Sequence, residues 1–253
     1  MGRWWDRKVA VVNYLADMFS TGMKQWDRRA YVELFAGPGR SWDRNRRMYV
    51  TGSAIHAMRY PFTDYVFVDI DPRSTAALQA RVTREPNAAL ARVTTKDCNR
   101  AAGEIRALIP PDALTLAFID PTAWEVRFDT IADLVAGRRT DLLVTFHAMR
   151  LLRVAHLNRV DRVDAFFGTN EWLSIVRNAP RYRIVEELAA LYNRQLQTLG
   201  YLESYQHRVP FRNTKNSSLF QLVGFSKNER GVDFWKKSAK ANESGQRQLD
   251  LAL

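Results

Sequence analysis

Short apolar runs alternate with helix-like segments along the first 146 residues of the chain. The runs predicted as strands are 30–35, 64–70, 91–95, 114–119 and 141–146. The segments predicted as helices are 52–59, 73–84, 99–108 and 129–136. Apolar residues fill almost every position of 114–119, which indicates a strand buried on both faces. The alternation predicts a parallel sheet covered by helices on both sides.

The pattern outside this alternation predicts a leading helix and a closing hairpin. Apolar residues recur at helical spacing over 4–20, which predicts an amphipathic helix. The Arg-rich stretch 150–200 predicts a helical cap or insertion. Two β-rich runs, 201–209 and 218–226, flank a turn-rich septet and predict an antiparallel hairpin. With a short helix over 228–240 to follow, we expect one α/β domain over 1–241 and a disordered tail over 242–253.

Composition excludes several classes of protein. A single cysteine cannot form an intramolecular disulfide or a structural zinc cluster built on thiolates. Because no stretch approaches the roughly 18 apolar residues of a membrane helix and no secretory signal is visible, we expect a soluble, cytoplasmic protein without membrane contact. The four histidines show no ligand spacing, so no metal site is predicted.

The net charge of +11 comes mainly from arginine, with 30 Arg and 8 Lys against 27 acidic residues. Arginine pairs with phosphate in a bidentate fork and stacks on bases, which favours a nucleic-acid partner, although coding bias explains the same composition equally well. Aromatic residues such as Trp42 and Tyr49 interleave with the first Arg-rich loop, as in surfaces that bind nucleic acid by stacking. The candidate contacts are Arg40, Arg44, Arg46, Arg47, Arg150, Arg153 and Lys215.

The segment 31–39, Tyr-Val-Glu-Leu-Phe-Ala-Gly-Pro-Gly, runs from a strand directly into a tight turn. Gly37 and Gly39 let the backbone bend and approach a ligand, and Glu33 can accept a hydrogen bond from a cationic amine. Pro38 removes an amide donor, and an Arg-rich stretch follows in place of the helix that would bind a diphosphate. The turn therefore favours a ligand that carries an amino acid and a nucleoside.

Carboxylates follow three further predicted strands. Asp69 could accept hydrogen bonds from both ribose hydroxyls, and Asp97 could accept from an adenine amino group while the Cys98 amide donates to a ring nitrogen. Asp120 follows the fourth strand. Each Asp could instead cap the next helix. The ordered series favours a ligand at the edge where the strands end.

The chain resembles the three-Cys-motif partner proteins, a bacterial family related to class I S-adenosylmethionine-dependent methyltransferases. The matching residues span nearly the whole chain and are Lys8, 31–39, 52–54, Asp69, 97–99, 119–121, 167–168, Trp172, 213–215, 219–223 and 226–227. The resemblance implies a Rossmann-like class I methyltransferase sheet, mostly parallel, with a C-terminal antiparallel hairpin and an N-terminal helix.

The resemblance also implies S-adenosylmethionine as the cofactor and a second protein as partner. Glu33, Phe35, Gly37 and Gly39 are expected around the methionine part, Asp69 on the ribose, and Asp97 with Cys98 on the adenine. The implied partner carries a three-cysteine motif and looks like a radical enzyme. Cys98 alone cannot hold an iron–sulfur cluster, so any cluster belongs to that partner.

The turn 120–124, Asp-Pro-Thr-Ala-Trp, is the candidate catalytic segment. Amino-directed nucleic-acid methyltransferases place Asp or Asn, two prolines and an aromatic residue here, so that oxygens orient the amine while the ring stacks on the base. This chain keeps Asp120 and Pro121, lacks the second proline and has Trp124 one place late. We predict that these three residues and Lys8 act at the catalytic centre, with Asp120 also beside the cofactor and Trp124 stacking on a flipped base. A capped turn with a packing Trp is the alternative.

The sequence is compatible with three functions. The strand-end residues and Arg-rich loops favour methyl transfer to a DNA or RNA base. A small-molecule or peptide acceptor would use the same cofactor pocket. The departures in the 120–124 turn instead suit a non-catalytic S-adenosylmethionine-binding partner of a radical three-cysteine protein.

Overall fold

The computed structural model describes residues 4–43, 46–147, 160–212 and 218–241. The helices are α1 Trp4–Gly22, α2 Ser53–Ala57, α3 Pro72–Val82, α4 Ala102–Ala107, α5 Phe128–Val135, α6 Val160–Phe167, α7 Trp172–Asn178, α8 Ile184–Gln197 and α9 Glu229–Ala239. The strands are β1 Arg29–Leu34, β2 Arg40–Asp43, β3 Met48–Thr51, β4 Asp64–Asp69, β5 Ala91–Thr95, β6 Leu114–Ile119, β7 Arg139–Phe146, β8 Val209–Arg212 and β9 Ser218–Phe225.

Within these described ranges, seven strands form one sheet in the order β5-β4-β1-β6-β7-β9-β8. The first five in that order run parallel, and β9 pairs antiparallel with both β7 and β8. The predicted parallel sheet with an antiparallel C-terminal hairpin is therefore confirmed. The membrane search of the described helices finds none with the length and apolar character of a membrane span.

Helices cover both faces of the sheet because the central strands bury both sets of alternating side chains. Val32 of β1 packs in the layer that contains Ile131 of α5 and Leu188 of α8. Tyr31, its neighbour in the same strand, packs in the layer that contains Val11 of α1 and Phe234 of α9. This two-sided burial matches the near-continuous apolar sequence of these strands.

The order in which the chain adds strands to the sheet reverses at β1, which pairs with β4 on one side and β6 on the other. Leu34, the last residue of β1, lies opposite Val68 of β4 and Ile119 of β6. The chain reaches these two neighbours by crossovers in opposite directions, so a crevice opens between the carboxyl ends of β1 and β6. That edge is where ligands bind in open α/β sheets.

Helix α1 is fixed against the sheet layer by α9. A β-carbon built on Gly22 would lie 2.7 Å from Cζ of Phe234, so the two helices approach where only glycine fits. The Arg230 guanidinium donates to the Gly22 carbonyl at 2.8 Å. This packing holds α1 in place, and α1 carries Lys8 towards the carboxyl edge of the sheet.

One local prediction is wrong, and one segment without a prediction forms a hairpin. The sequence predicts a strand over 201–209, but β8 begins only at Val209 and a 3₁₀ turn occupies Tyr205–His207. The Ser204 hydroxyl donates to the Gly224 carbonyl at 2.6 Å, so a side chain takes the place of a ladder hydrogen bond there. The Arg-rich stretch after Gly39 is an antiparallel β2–β3 hairpin, in which Trp42 lies opposite Tyr49.

Candidate functional site

A cavity of about 1180 Å³ opens at the carboxyl edge of the sheet. Its walls come from the turns after β1, β4, β5 and β6, closed on one side by Asp161, Arg162 and Ala165 of α6. Small-molecule sites usually span roughly 300–1,000 Å³, so this cavity has room for a nucleoside-sized ligand and part of a second molecule.

The turn after β1 presents open backbone to this cavity. Phe35 and Gly37 both line the cavity and both have positive φ, 65° and 61°. Apart from its own residue and its two chain neighbours, no described atom lies within 4 Å of a β-carbon built on Gly37, so a ligand can approach its backbone closely. Gly39 faces the other way, since its β-carbon would lie 2.7 Å from Cδ1 of Leu78 in α3. Gly39 therefore shapes the turn and is not part of the cavity wall.

Asp69 ends β4 on the cavity wall and holds the neighbouring turn. Its Oδ2 accepts from the Gly37 amide at 2.8 Å and its Oδ1 from the Asp71 amide at 2.9 Å. A carboxylate oxygen has two lone pairs, so each oxygen can still accept from a ligand hydroxyl. Capping of α3 belongs to Asp71, whose side chain accepts from the Arg73 and Ser74 amides. Asp69 thus remains available to a ligand.

The loop after β5 forms part of the cavity wall, and one of its side chains, Asn99, bridges to the turn after β6. The Asp97 carboxylate accepts from the Asn99 amide at 2.9 Å. Burial raises the pKa of the Cys98 thiol to about 12, so the thiol stays neutral. Asn99 spans to the turn after β6, donating to the Glu125 carbonyl at 2.6 Å and accepting from the Arg127 amide at 3.0 Å. Asn99 fixes the shape of that turn, a role that the sequence did not reveal.

An exposed apolar side chain on the wall also escaped sequence reasoning. Ile70 follows β4, lines the cavity and is one of the large hydrophobic residues that remain exposed. An apolar side chain beside a carboxylate suits a ligand with a flat ring attached to a polar group. In the sequence, Ile70 lies between Asp69, the last residue of β4, and Asp71. An apolar residue between two aspartates just after a strand is the feature that could have indicated its role.

Lys8 and Asp120 meet at the cavity although 112 residues separate them. The Lys8 ammonium donates to both carboxylate oxygens of Asp120, each at 2.6 Å. The Thr145 hydroxyl of β7 donates to Oδ1 of Asp120 at 2.5 Å. Lys8 is buried, with its Nζ 5.4 Å from the Phe118 ring centroid and 5.3 Å from that of Phe220. Asp120 itself lines the cavity.

Glu33 does not line the cavity, contrary to the expectation that it contacts the cofactor. Its side chain is 1% exposed and packs behind the wall. It accepts from the Ser53 hydroxyl at 2.5 Å and from the Tyr31 hydroxyl at 2.9 Å. Burial is the main cause that raises the pKa of Glu33 to about 8, and the negative charge of Asp120 adds to it. Glu33 is therefore a mostly neutral structural group at pH 7.

Trp124 lines the cavity but packs largely as a core residue, which leaves little of its ring open for the expected stacking on a flipped base. Its side chain is 8% exposed. The ring meets Phe166 edge-on, with centroids 5.0 Å apart, and also contacts Phe146 and Phe167. Pro121 is buried, and its carbonyl accepts from Nε2 of His147 at 3.0 Å. Of the three predicted catalytic residues in this turn, Asp120 is the one that presents a polar group at the cavity.

The described arginines of the candidate set lie on the β2–β3 hairpin instead of the cavity wall. Arg40 stacks over Tyr49 at 4.4 Å, and Arg46 pairs with Asp6 of α1. Arg47 is exposed. The remaining candidates fall outside the described residues: Arg44, Arg150, Arg153 and Lys215. The arginines that line the cavity are Arg127 and Arg162.

Comparison with solved structures establishes the fold. The O-methyltransferase from Bacillus cereus in complex with SAH matches with a TM-score of 0.52 and 11% identity, over 84% of this chain and 80% of that chain. A protein from Legionella pneumophila matches with a TM-score of 0.51 and 10% identity, over 94% of each chain. A cofactor-bound protein from MTB matches with a TM-score of 0.50 and 12% identity, over 86% of this chain and 79% of that chain.

Neither a protein-family model nor a curated protein matches the sequence. The structural likeness shows that the chain has the Rossmann-like methyltransferase fold that the alternating elements and the resemblance predicted. The resemblance to three-Cys-motif partner proteins stays a prediction.

Proposed function

We propose that this protein is an S-adenosylmethionine-dependent methyltransferase. One observation carries the proposal: a single cavity at the carboxyl edge brings together the open Gly37 turn, the Asp69 carboxylate and the Asp120 carboxylate. The Bacillus cereus O-methyltransferase of the same fold, which was crystallised with SAH, supports the assignment.

The residues around the cavity fit this cofactor. Gly37 offers backbone without a side chain to the methionine part, and Asp69 has acceptor positions left for the ribose hydroxyls. Ile70 and the backbone of Cys98 would hold the adenine, with Asp97 accepting from its amino group. When bound, the cofactor supplies a methyl group on a positively charged sulfur.

The chain's own contribution is to position the acceptor and to receive its proton. Asp120 is held by Lys8 and Thr145, so its free lone pair has a fixed direction. Through this lone pair Asp120 can hold the methyl acceptor next to the methyl group. Correct positioning of the two reacting groups is the main requirement of an in-line displacement. Lys8 acts through Asp120, as a positioning residue.

Asp69→Ala is expected to weaken S-adenosylmethionine binding by about 10- to 100-fold. The loss corresponds to about 1.5–3 kcal/mol for hydrogen bonds to a charged group. Isothermal titration calorimetry on the full chain measures it. Asp112→Ala is the matched control, because Asp112 is an exposed carboxylate before β6, at the opposite edge of the sheet. Wild-type protein that binds no S-adenosylmethionine would overturn the proposed function.

We further propose that the acceptor is carried by a nucleic acid that binds the β2–β3 hairpin. Trp42 and Tyr49 are 47% and 53% exposed, and their ring centroids lie 5.0 Å apart. Arg40 adds a guanidinium over Tyr49, so charge and stacking surface occur together. The Arg46–Asp6 pair connects the hairpin to the first turn of α1, the helix that carries Lys8.

Trp42→Ala is expected to weaken binding of a single-stranded oligonucleotide by about 5- to 100-fold, since stacking on one base contributes about 1–3 kcal/mol. Fluorescence anisotropy at two salt concentrations measures the affinity and its salt dependence. Tyr182→Ala is the control, because Tyr182 is 84% exposed and lies far along the chain, before α8. Equal losses in the two variants, or no binding at low salt, would contradict the nucleic-acid partner and leave the cofactor assignment intact.

A further inference from the structure

Asp120 has almost no hydrogen-bonding capacity left for an acceptor. Two carboxylate oxygens offer about four lone-pair positions. Lys8 takes one on each oxygen, and Thr145 takes the second position on Oδ1. One position remains, on Oδ2, and Asp120 is the member of this group that lines the cavity.

The backbone and the aromatic ring that follow Asp120 are equally unsuited to an amine. An exocyclic amine has two N–H groups and needs two acceptors to fix its orientation. The Pro121 carbonyl accepts from His147, and Pro121 itself is buried and is not among the residues that line the cavity. The aromatic ring that would stack on the base belongs to Trp124, which lines the cavity but is 8% exposed and packs against Phe146, Phe166 and Phe167, so little of its surface is open to a base.

We infer that the group methylated by this protein is a hydroxyl, and this inference rests on the proposed function. A hydroxyl has one proton and needs one acceptor, which matches the single free position on Oδ2 of Asp120. As the oxygen–methyl bond forms, the methyl–sulfur bond breaks and its electron pair goes to sulfur. The hydroxyl proton passes to Asp120, and the neutral sulfur compound leaves.

The surrounding charges are consistent with this role for Asp120. Lys8 supplies one positive charge against the one negative charge of Asp120, and the other ionisable groups of this cluster are Glu33 and Tyr31, whose hydroxyl donates to Glu33 and whose pKa is raised by burial. Because Glu33 is buried and hydrogen-bonded to Tyr31 and Ser53, it stays mostly protonated at neutral pH. Asp120 is the carboxylate of this cluster that lines the cavity, where it can meet the acceptor hydroxyl.

Together with a nucleic-acid partner, a hydroxyl acceptor points to the ribose of RNA. RNA carries a 2′-hydroxyl on every ribose, whereas DNA lacks it. A small molecule with a hydroxyl has the same chemistry. The two sources can be separated experimentally.

The test incubates the full chain with methyl-labelled S-adenosylmethionine and, separately, with total bacterial RNA, bacterial DNA and the small-molecule fraction of the same cells. Labelled products are digested and the methylated atom is identified by mass spectrometry. Label on oxygen supports the inference, and its presence in the RNA or the small-molecule arm identifies the source. Label on nitrogen or carbon overturns it.

Calorimetry on the same protein separates this inference from the proposed function. S-adenosylmethionine binding without label on any hydroxyl overturns the inference alone. Absence of cofactor binding overturns the proposed function and the inference with it.

Discussion

Replacing Asp120 by Asn is expected to lower the rate of methyl transfer by about 100- to 10,000-fold, the usual contribution of a positioned general base. The amide has nearly the shape of the carboxylate and can still accept from Lys8 and Thr145, but it cannot take up the hydroxyl proton. Single-turnover measurements use methyl-labelled S-adenosylmethionine and the acceptor identified by the labelling test. They separate a slower methyl transfer from any change in product release.

Stability is the main confounding effect of that substitution, and a second variant controls for it. The Asp120→Asn change would leave the buried Lys8 ammonium without a counter-charge, which costs about 3–5 kcal/mol when a buried pair is broken. Removing both charges together, in Lys8→Met with Asp120→Asn, is expected to recover much of this stability. Asp112→Asn is the control for the loss of one surface carboxylate. Wild-type transfer by the folded double variant would exclude Asp120 as the base.

Replacing Glu33 by Gln is expected to remove a pH dependence from the stability of the protein. Burial raises the pKa of Glu33 from an ordinary value of 4.5 to about 8. The protonated carboxyl therefore favours the folded state, fully below pH 4.5, and this stabilisation is lost as the pH rises through 8. The wild type should lose at most about 1.4 kcal/mol of unfolding free energy per pH unit from this group.

Urea unfolding at pH 6 and pH 8 measures this effect. Glu33→Gln keeps partners for the Tyr31 and Ser53 hydroxyls, so its unfolding free energy should change less between the two pH values. Asp141 adds its own dependence, because burial raises its pKa to about 7, and this contribution is common to both proteins. Glu203→Gln at an exposed position is the control and should behave like the wild type. An equal pH dependence in Glu33→Gln and the wild type would show that Glu33 is ionised in the folded protein.

The strand-end residues were predictable because the carboxyl ends of parallel strands must meet at one edge. Asp69, Asp97 and Asp120 each follow an apolar run, and all three line the cavity. Two rules suffice to predict their positions: the periodicity of apolar residues marks the strands, and ligands bind at the carboxyl ends of the strands in open α/β sheets. The β1 turn was predictable for the same reason, since glycines on either side of Pro38 follow a strand directly.

Side-chain direction was not predictable where a strand is buried on both faces. Both faces of β1 are buried, so its side chains do not alternate between apolar and polar positions. Nothing in the sequence therefore shows that Phe35 lines the cavity while Glu33 packs behind the cavity wall. Trp124 was ambiguous in the same way, and its environment depends on Phe166 and Phe167 of a distant helix. The Lys8–Asp120 contact depends on how α1 docks, which local patterns do not encode.

The position of the Asp120 carboxylate depends on the docking of helix α1, which carries Lys8. The cavity walls form from β1, β4, β5 and β6, but the ammonium group beside Asp120 arrives only when α1 docks on the sheet and against α9. A state of the protein in which α1 is undocked would therefore have a cavity without a fixed proton acceptor. Such a chain could hold its cofactor yet not consume it.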